Sequence, residues 1–330
     1  MGLFSIEIKR KPKKKVATKK VVRRKPVVKK QIRRVTRKPS KRVIKQHGTK
    51  KVIRNVTKYS KYKLTTKPQR KLRKDEREVY IKCMVPGFDS LLKKGIPGGN
   101  SVLVEGSAGA GKTIFTLQLA YNNAIAGKKV LYMSFEEPER RLIRHMKEFG
   151  WDAKKVIKNG HFRIQRLNAL DIARSVEALL SEAKKELMID VQPVFFPEDF
   201  DPDIVCIDSL SAISSAFSGE ESRFRIYMEQ LFKYLESKDI TSFLVVERPN
   251  PAHTGLGIMG EEAVSFLSDG IISIYNILFR NGRRSPALEV IKMRGAGFDK
   301  KIVKMDIIGG KGLVVYPNKI ITRDKNVVIT

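Results

Sequence analysis

The sequence predicts an α/β protein built on a mostly parallel sheet covered by helices on both faces. Between residues 100 and 247, apolar strand-like runs alternate with helix-like segments, and after residue 260 the rhythm changes to strands without intervening helices. Charge separates this body from the rest of the chain. Of the formal +33, residues 1–77 carry +29 (32 Lys or Arg against 3 acidic residues), which leaves +4 for 78–330. We therefore expect a basic, low-complexity arm over 1–77 and one folded domain over 78–330.

The elements follow in order. NSVLVEG (100–106) is a short apolar strand ending in glycine, and KTIFTLQLAYNNAIAG (112–127) is a helix stopped by Gly127. KKVLYMSFEE (128–137) is a buried strand with two carboxylates at its end. PERRLIRHMKEFG (138–150) opens on proline and closes on glycine, as a helix does. HFRIQRLN (161–168) is a third strand and DIARSVEALLSEAKKELM (171–188) a third helix. DIVCIDSL (203–210), the helix ESRFRIYMEQLFKYLES (221–237) and the strand TSFLVVE (241–247) complete the alternating part. Segments 269–279, 285–294, 301–308 and 312–317 read as antiparallel additions to the same sheet, with an Asn-Gly turn in RNGRR (280–284). Parallel sheets bind ligands beyond the carboxyl ends of their strands. The motifs GSAGAGKT, SFEE and IVCID all finish at that edge.

The arm repeats basic pairs separated by β-branched residues, with Pro12, Pro26 and Pro39 interrupting any long helix. Self-repulsion at +29 favours an extended, disordered chain. Such a chain attracts phosphate backbones through counterion release. An acidic protein, an anionic membrane surface or a merely solubilising role fits the same composition. Phe4, Tyr59 and Tyr62 are the only aromatics before Tyr80, so base stacking is not its mode. No run of 18 apolar residues predicts a transmembrane helix, and two cysteines, one in a buried strand, fit a reducing compartment. The expected location is cytoplasmic, with nucleoid association if the arm binds DNA.

GSAGAGKT (106–113) lies between a strand and a helix, the context a phosphate-binding loop requires. In this loop Gly106, Ser107, Ala108, Gly109, Ala110 and Gly111 wrap the backbone around phosphates. Lys112 reaches the β and γ phosphates, and Thr113 ligates Mg²⁺. Asp208, at the end of the apolar strand IVCID, is the second candidate for Mg²⁺; the plain alternative is a strand-end cap for Ser209 or Ser211. Glu136 and Glu137 are candidates to polarise the attacking water, Glu136 preferred and Glu137 a close second; alternatively both merely favour the helix that follows. His47, His145, His161 and His253 show no metal-ligand spacing.

VPGFDSLLKKGIPGGNSVLVEGSAGAGKTIFTLQLAYNNAIAGKKVLYMSFEEP (85–138) resembles the opening of the KaiC-type ATPases, within the RecA/RadA/DnaB superfamily. VCIDSLSAI (205–213), EEAVSFLSDGIISI (261–274) and VIKMRGAG (290–297) extend the resemblance over roughly residues 80–317. It implies a RecA-like P-loop NTPase with strand order 3-2-4-5-1-6-7-8. It also implies ATP and Mg²⁺ as ligands, and a water-activating pair at Glu136 and Glu137. Copies would form a ring, usually a hexamer, with ATP between neighbours. Lys292 and Arg294 match the basic residues that reach the next subunit's nucleotide; the alternative is two exposed strand residues. This chain departs from the clock proteins in having one such domain rather than two. Thr254 stands alone where they carry adjacent phosphorylation sites, Phe298 replaces a common histidine, and the arm lies outside the resemblance. Neither clock-type autophosphorylation nor a circadian role is carried over.

Three functions fit. The leading one is a slowly hydrolysing, ring-forming ATPase that changes conformation to regulate a partner. The second is a recombinase-like or remodelling ATPase on DNA or RNA, anchored by the arm. Loops near 211–222 and 249–262 would then line the ring centre, although SAISSAFSGEES is not basic. The third is an ATP-sensing scaffold with little turnover.

Overall fold

Strands that are apolar along nearly their whole length must be covered on both faces, and four of them form the centre of this protein. The structure, a computed structural model, describes residues 79–183, 196–217, 219–248, 261–279, 281–322 and 327–329. All lie in the second of the chain's two units, Leu72–Thr330. The basic arm, Thr254, most of the 249–262 loop and the last residues of the helix expected over 171–188 fall outside the described residues.

A small pair, β1 (Tyr80–Ile81) and β2 (Ile96–Pro97), precedes the main sheet. Then follow β3 (Ser101–Gly106), α1 (Lys112–Ile125), β4 (Val130–Ser134), α2 (Glu139–Glu148), α3 (Ala153–Lys158), β5 (Phe162–Arg166) and α4 (Ala169–Ala183). The second half contains β6 (Ile204–Asp208), α5 (Leu210–Ala216), α6 (Glu221–Ser237), β7 (Thr241–Glu247) and α7 (Glu261–Leu267). It ends with β8 (Gly270–Phe279), β9 (Arg284–Met293), β10 (Val303–Ile308), β11 (Gly312–Ile320) and β12 (Val327–Ile329).

The sheet runs β5-β4-β6-β7-β3-β8-β9-β10-β11, with β12 paired to β8. Counted from β3 as strand 1, this is the expected 3-2-4-5-1-6-7-8, with β11 added outside β10. One detail differs. β8 joins β3 in parallel, because α7 returns the chain to the amino-terminal edge before β8 begins, and only β9 to β12 are antiparallel. Among the described residues no helix is long and apolar enough to cross a membrane.

Strand residues alternate between two cores. Val102, Val104, Val130, Tyr132, Ile204 and Cys206 face α1, α2 and α3. Leu103, Leu131, Met133, Val205 and Ile207 face the other layer, which holds α4, α5, α6 and α7. Cys83 and Cys206 are both buried and unbridged. Three short helices were not expected: α7, which lies after residue 260 where only strands were expected, and two more. α3 starts at Asp152, whose carboxylate accepts from the Lys155 N–H, and α5 starts at Ser209, whose hydroxyl accepts from the Ala212 N–H. Neither is long enough to present a clear apolar stripe, and α5 occupies much of the 211–222 stretch read as loop.

The C-terminal strands are tied to α1. The buried Gln118 amide imitates a strand neighbour: it accepts from the Leu313 N–H at 2.7 Å and donates to the Leu313 carbonyl at 3.2 Å. Beside it Gly312 has φ +90°, and a Cβ there would lie 2.3 Å from Trp151 Cζ2 and 2.7 Å from Gln118 Oε1. Gly312→Ala is expected to destabilise the fold by about 3 kcal/mol through strain and overpacking. Thermal unfolding would then fall by roughly 10 °C; an unchanged midpoint would show that this contact relaxes freely.

Candidate functional site

The loop between β3 and α1 is shaped by its glycines. Gly109 (φ +72°) and Gly111 (φ +102°) occupy the left-handed region. Gly106 is required by proximity, since a Cβ there would lie 2.4 Å from the Ile274 carbonyl oxygen of neighbouring β8. α1 opens at Lys112 without a side-chain cap, which suits its first turn to an anionic ligand. Lys112 Nζ folds back to donate to the Ser107 carbonyl at 2.8 Å. Burial lowers its pKa, while Glu247, Asp208 and Glu136 act in the opposite direction.

Parallel pairing of β4 with β6 sets Ser134 opposite Asp208, so both glutamates of SFEE follow the strand at the same sheet edge as that aspartate. Thr113 Oγ1 donates to Asp208 Oδ2 at 2.9 Å, so the helix that follows the loop and the strand-end carboxylate are in direct contact. The Tyr132 hydroxyl donates to the same oxygen at 2.7 Å. Burial pushes the Asp208 carboxyl up, and the bonds from Tyr132 and Thr113 counter it. Burial also holds the Tyr132 phenol well above its usual range, so it remains a donor.

The two glutamates have different surroundings. Ser209 Oγ donates to Glu136 Oε1. Glu137 turns towards α2, where its Oε2 lies 3.8 Å from both Arg141 Nε and His145 Nδ1. Its backbone is pinned by Ser134, whose hydroxyl donates to the Glu137 carbonyl and accepts from the Glu137 N–H. His145 is therefore an α2 neighbour of Glu137.

Lys292 and Arg294 do not join this cluster within the chain. Lys292 is level with Ile271, itself level with Leu103, three residues back from Gly106 and so about 10 Å along the strand. The Arg294 N–H donates to the Asp269 carbonyl, and the Asp269 N–H to that of Ser101, at the opposite edge of the sheet. Both side chains reach the end of α7. Lys292 Nζ donates to the Ser265 and Ser268 carbonyls, while Arg294 donates to the Phe266 carbonyl and pairs with Asp269 at 3.3 Å. They share a face, as alternation predicts, but on the edge away from the phosphate loop.

Sequence reasoning missed Tyr132, which reads as one more core aromatic until β4 and β6 are paired. It also missed the buried Glu105, which pairs with Arg248 at 2.9 Å immediately before the loop. Among the described residues no group of three or more His, Cys, Asp and Glu could hold a metal ion. The hydroxyl of Thr113 and carboxylate of Asp208 instead fit Mg²⁺, which takes few protein ligands beside phosphate oxygens and water.

Residues 81–320 match the family described as "ATPase: KaiC". This chain belongs to the KaiC ATPase family. A UPF0273 protein of Pyrococcus horikoshii is 29% identical over 251 residues, covering 74% of this chain and 97% of that protein. The circadian clock oscillator protein KaiC of Synechococcus elongatus is 28% identical over 222 residues, which is 67% of this chain but 41% of the clock protein. This chain thus corresponds to less than half of that KaiC. A crystal structure of a KaiC-like protein from Pyrococcus horikoshii superposes with a TM-score of 0.58 at 28% identity, covering 73% of this chain and 100% of that one. The KaiC match begins beyond the basic arm.

Proposed function

We propose that residues 78–330 form an ATPase domain that binds ATP with Mg²⁺, hydrolyses it slowly, and does so in a ring of copies whose conformation regulates a partner. The single observation that carries this reading is the Thr113–Asp208 hydrogen bond, which joins the phosphate loop to the strand-end carboxylate beside Glu136. Loop amides and Lys112 hold the phosphates, and Thr113 and Asp208 would hold Mg²⁺, which neutralises phosphate charge when bound. Glu136 orients a water and accepts its proton. The water oxygen attacks the γ-phosphorus, the bond to the β–γ bridging oxygen breaks, and ADP leaves.

Lys292 and Arg294 stabilise the developing charge on the neighbouring copy's nucleotide. Their position at the opposite sheet edge supports action on a neighbour rather than within one chain. The test is complementation. Arg294→Ala and Lys112→Ala proteins should each hydrolyse ATP poorly alone, while mixed rings should recover activity at junctions where an intact loop meets an intact Arg294. ATPase rate against mixing ratio at fixed total protein is the measurement. Strictly additive rates in verified mixed rings would place Arg294 outside the neighbour's chemistry.

A second reading rests on the +29 arm, whose charge favours nucleic acid or an acidic protein. Stimulation of hydrolysis by DNA or RNA in the full chain would favour a nucleic-acid ATPase. ATP-driven assembly with almost no turnover would favour a sensing scaffold.

A further inference from the structure

Tyr132 sits in the middle of β4 in the core layer facing α1, fully buried. An aromatic ring suits that position, but a hydroxyl does not unless it is hydrogen-bonded, because burying an unpaired one costs stability. Phenylalanine would supply the same ring without that demand. The partner of the hydroxyl is Asp208. β4 and β6 run parallel with Tyr132 opposite Cys206, so Asp208 is the diagonal neighbour, two residues along on the same face. The phenol donates to Asp208 Oδ2 at 2.7 Å and lies 3.3 Å from Thr116 Oγ1. Thr116 is one helical turn after Thr113, which donates to the same Oδ2 at 2.9 Å.

Two donors therefore converge on one carboxylate oxygen. A carboxylate oxygen has two in-plane lone pairs, so these bonds fill Oδ2 and fix the rotation of the group. Oδ1 takes no hydrogen bond from a described residue. We propose that Tyr132 is a positioning residue for Mg²⁺: its hydroxyl holds Asp208 so that Oδ1 is reserved for the metal or its bound water. This rests on the reading of Asp208 as a metal-binding residue and goes beyond it. A buried tyrosine outside the phosphate loop sets how strongly the metal assists nucleotide binding. From α1, Thr113 fills the second position on Oδ2, and Thr116, whose hydroxyl donates to the Lys112 or Thr113 carbonyl, packs against the phenol, so the carboxylate is braced from both the strand and the helix.

The experiment measures affinity for a fluorescent ADP analogue across graded free Mg²⁺, using the full chain and three variants, Tyr132→Phe, Thr116→Val and Asp208→Asn. Binding, not turnover, is read, and the Mg²⁺-free affinity is the control for folding and loop integrity. Tyr132→Phe is expected to leave the Mg²⁺-free affinity within twofold of the unaltered protein. It should raise the Mg²⁺ concentration for half-maximal tightening about tenfold, the effect of losing one hydrogen bond to a charged group. Thr116→Val should shift it in the same direction by about threefold, and it carries the test if the phenylalanine variant does not fold. Asp208→Asn should abolish most of the tightening. A normal Mg²⁺ midpoint in Tyr132→Phe and Thr116→Val, with the tightening lost in Asp208→Asn, overturns the role of Tyr132 and leaves the metal reading intact. Full tightening in Asp208→Asn overturns the metal reading itself.

Discussion

Lys112→Ala is expected to weaken ATP binding about a hundredfold, since on the proposed reading it removes a positive charge from beside the phosphates in a partly desolvated site. The change is not expected to collapse the loop. Its conformation is set by Gly109 and Gly111 in the left-handed region and by the close approach of Gly106 to β8. The lysine contributes only one bond to that loop, to the Ser107 carbonyl. Burial already disfavours its charge, and Glu247, Asp208 and Glu136 oppose that only in part. Alanine would therefore remove the charge that offsets these carboxylates, which adds repulsion between them and the phosphates to the lost attraction. Calorimetric titration of ATP reads the loss directly. An affinity within a fewfold of the unaltered protein would mean that the loop does not hold the nucleotide in this way.

Glu136→Gln is expected to slow hydrolysis by about 10²- to 10³-fold while ATP affinity changes little, because an amide cannot take the proton of the attacking water. Its neighbour should behave differently. Glu137 faces Arg141 and His145 on α2 and is held at its backbone by Ser134, so Glu137→Gln should reduce turnover by less than about tenfold. Single-turnover rates with ATP pre-bound separate the two. The opposite ranking would transfer the water-activating role to Glu137 and would require α2 to release that side chain when nucleotide binds.

Much of the fold is legible because its signals are local. Val102 to Val104, Val130 to Met133 and Ile204 to Ile207 are apolar runs that only a doubly covered parallel sheet accommodates. Glycine punctuation at Gly127 and Gly150 ends two helices where expected, each with positive φ. The parallel setting of β8 was not legible, since a strand pattern gives no direction and α7 is only seven residues long. In the site, the placement of the loop, Thr113 and Asp208 at one sheet edge was readable from the loop motif and from the apolar strand that Asp208 ends. The split between Glu136 and Glu137 was not, because two adjacent identical residues look alike until Ser209 takes one and α2 the other. Tyr132 and the Glu105–Arg248 pair required strand register, and the distance of Lys292 and Arg294 from the loop required the sheet order.

One phosphate loop, completed by Thr113, Asp208 and Glu136, is expected to make this KaiC-family chain an ATPase. It is tested by phosphate release from ATP by the 330-residue chain, with and without Mg²⁺, beside the Lys112→Ala and Glu136→Gln variants purified identically. Mg²⁺-dependent release by the unaltered chain is expected, with nearly none by either variant, and of the two variants Glu136→Gln alone should retain ATP binding. Release that is equal in all three proteins, or a chain that binds no ATP at any Mg²⁺ concentration, would contradict it.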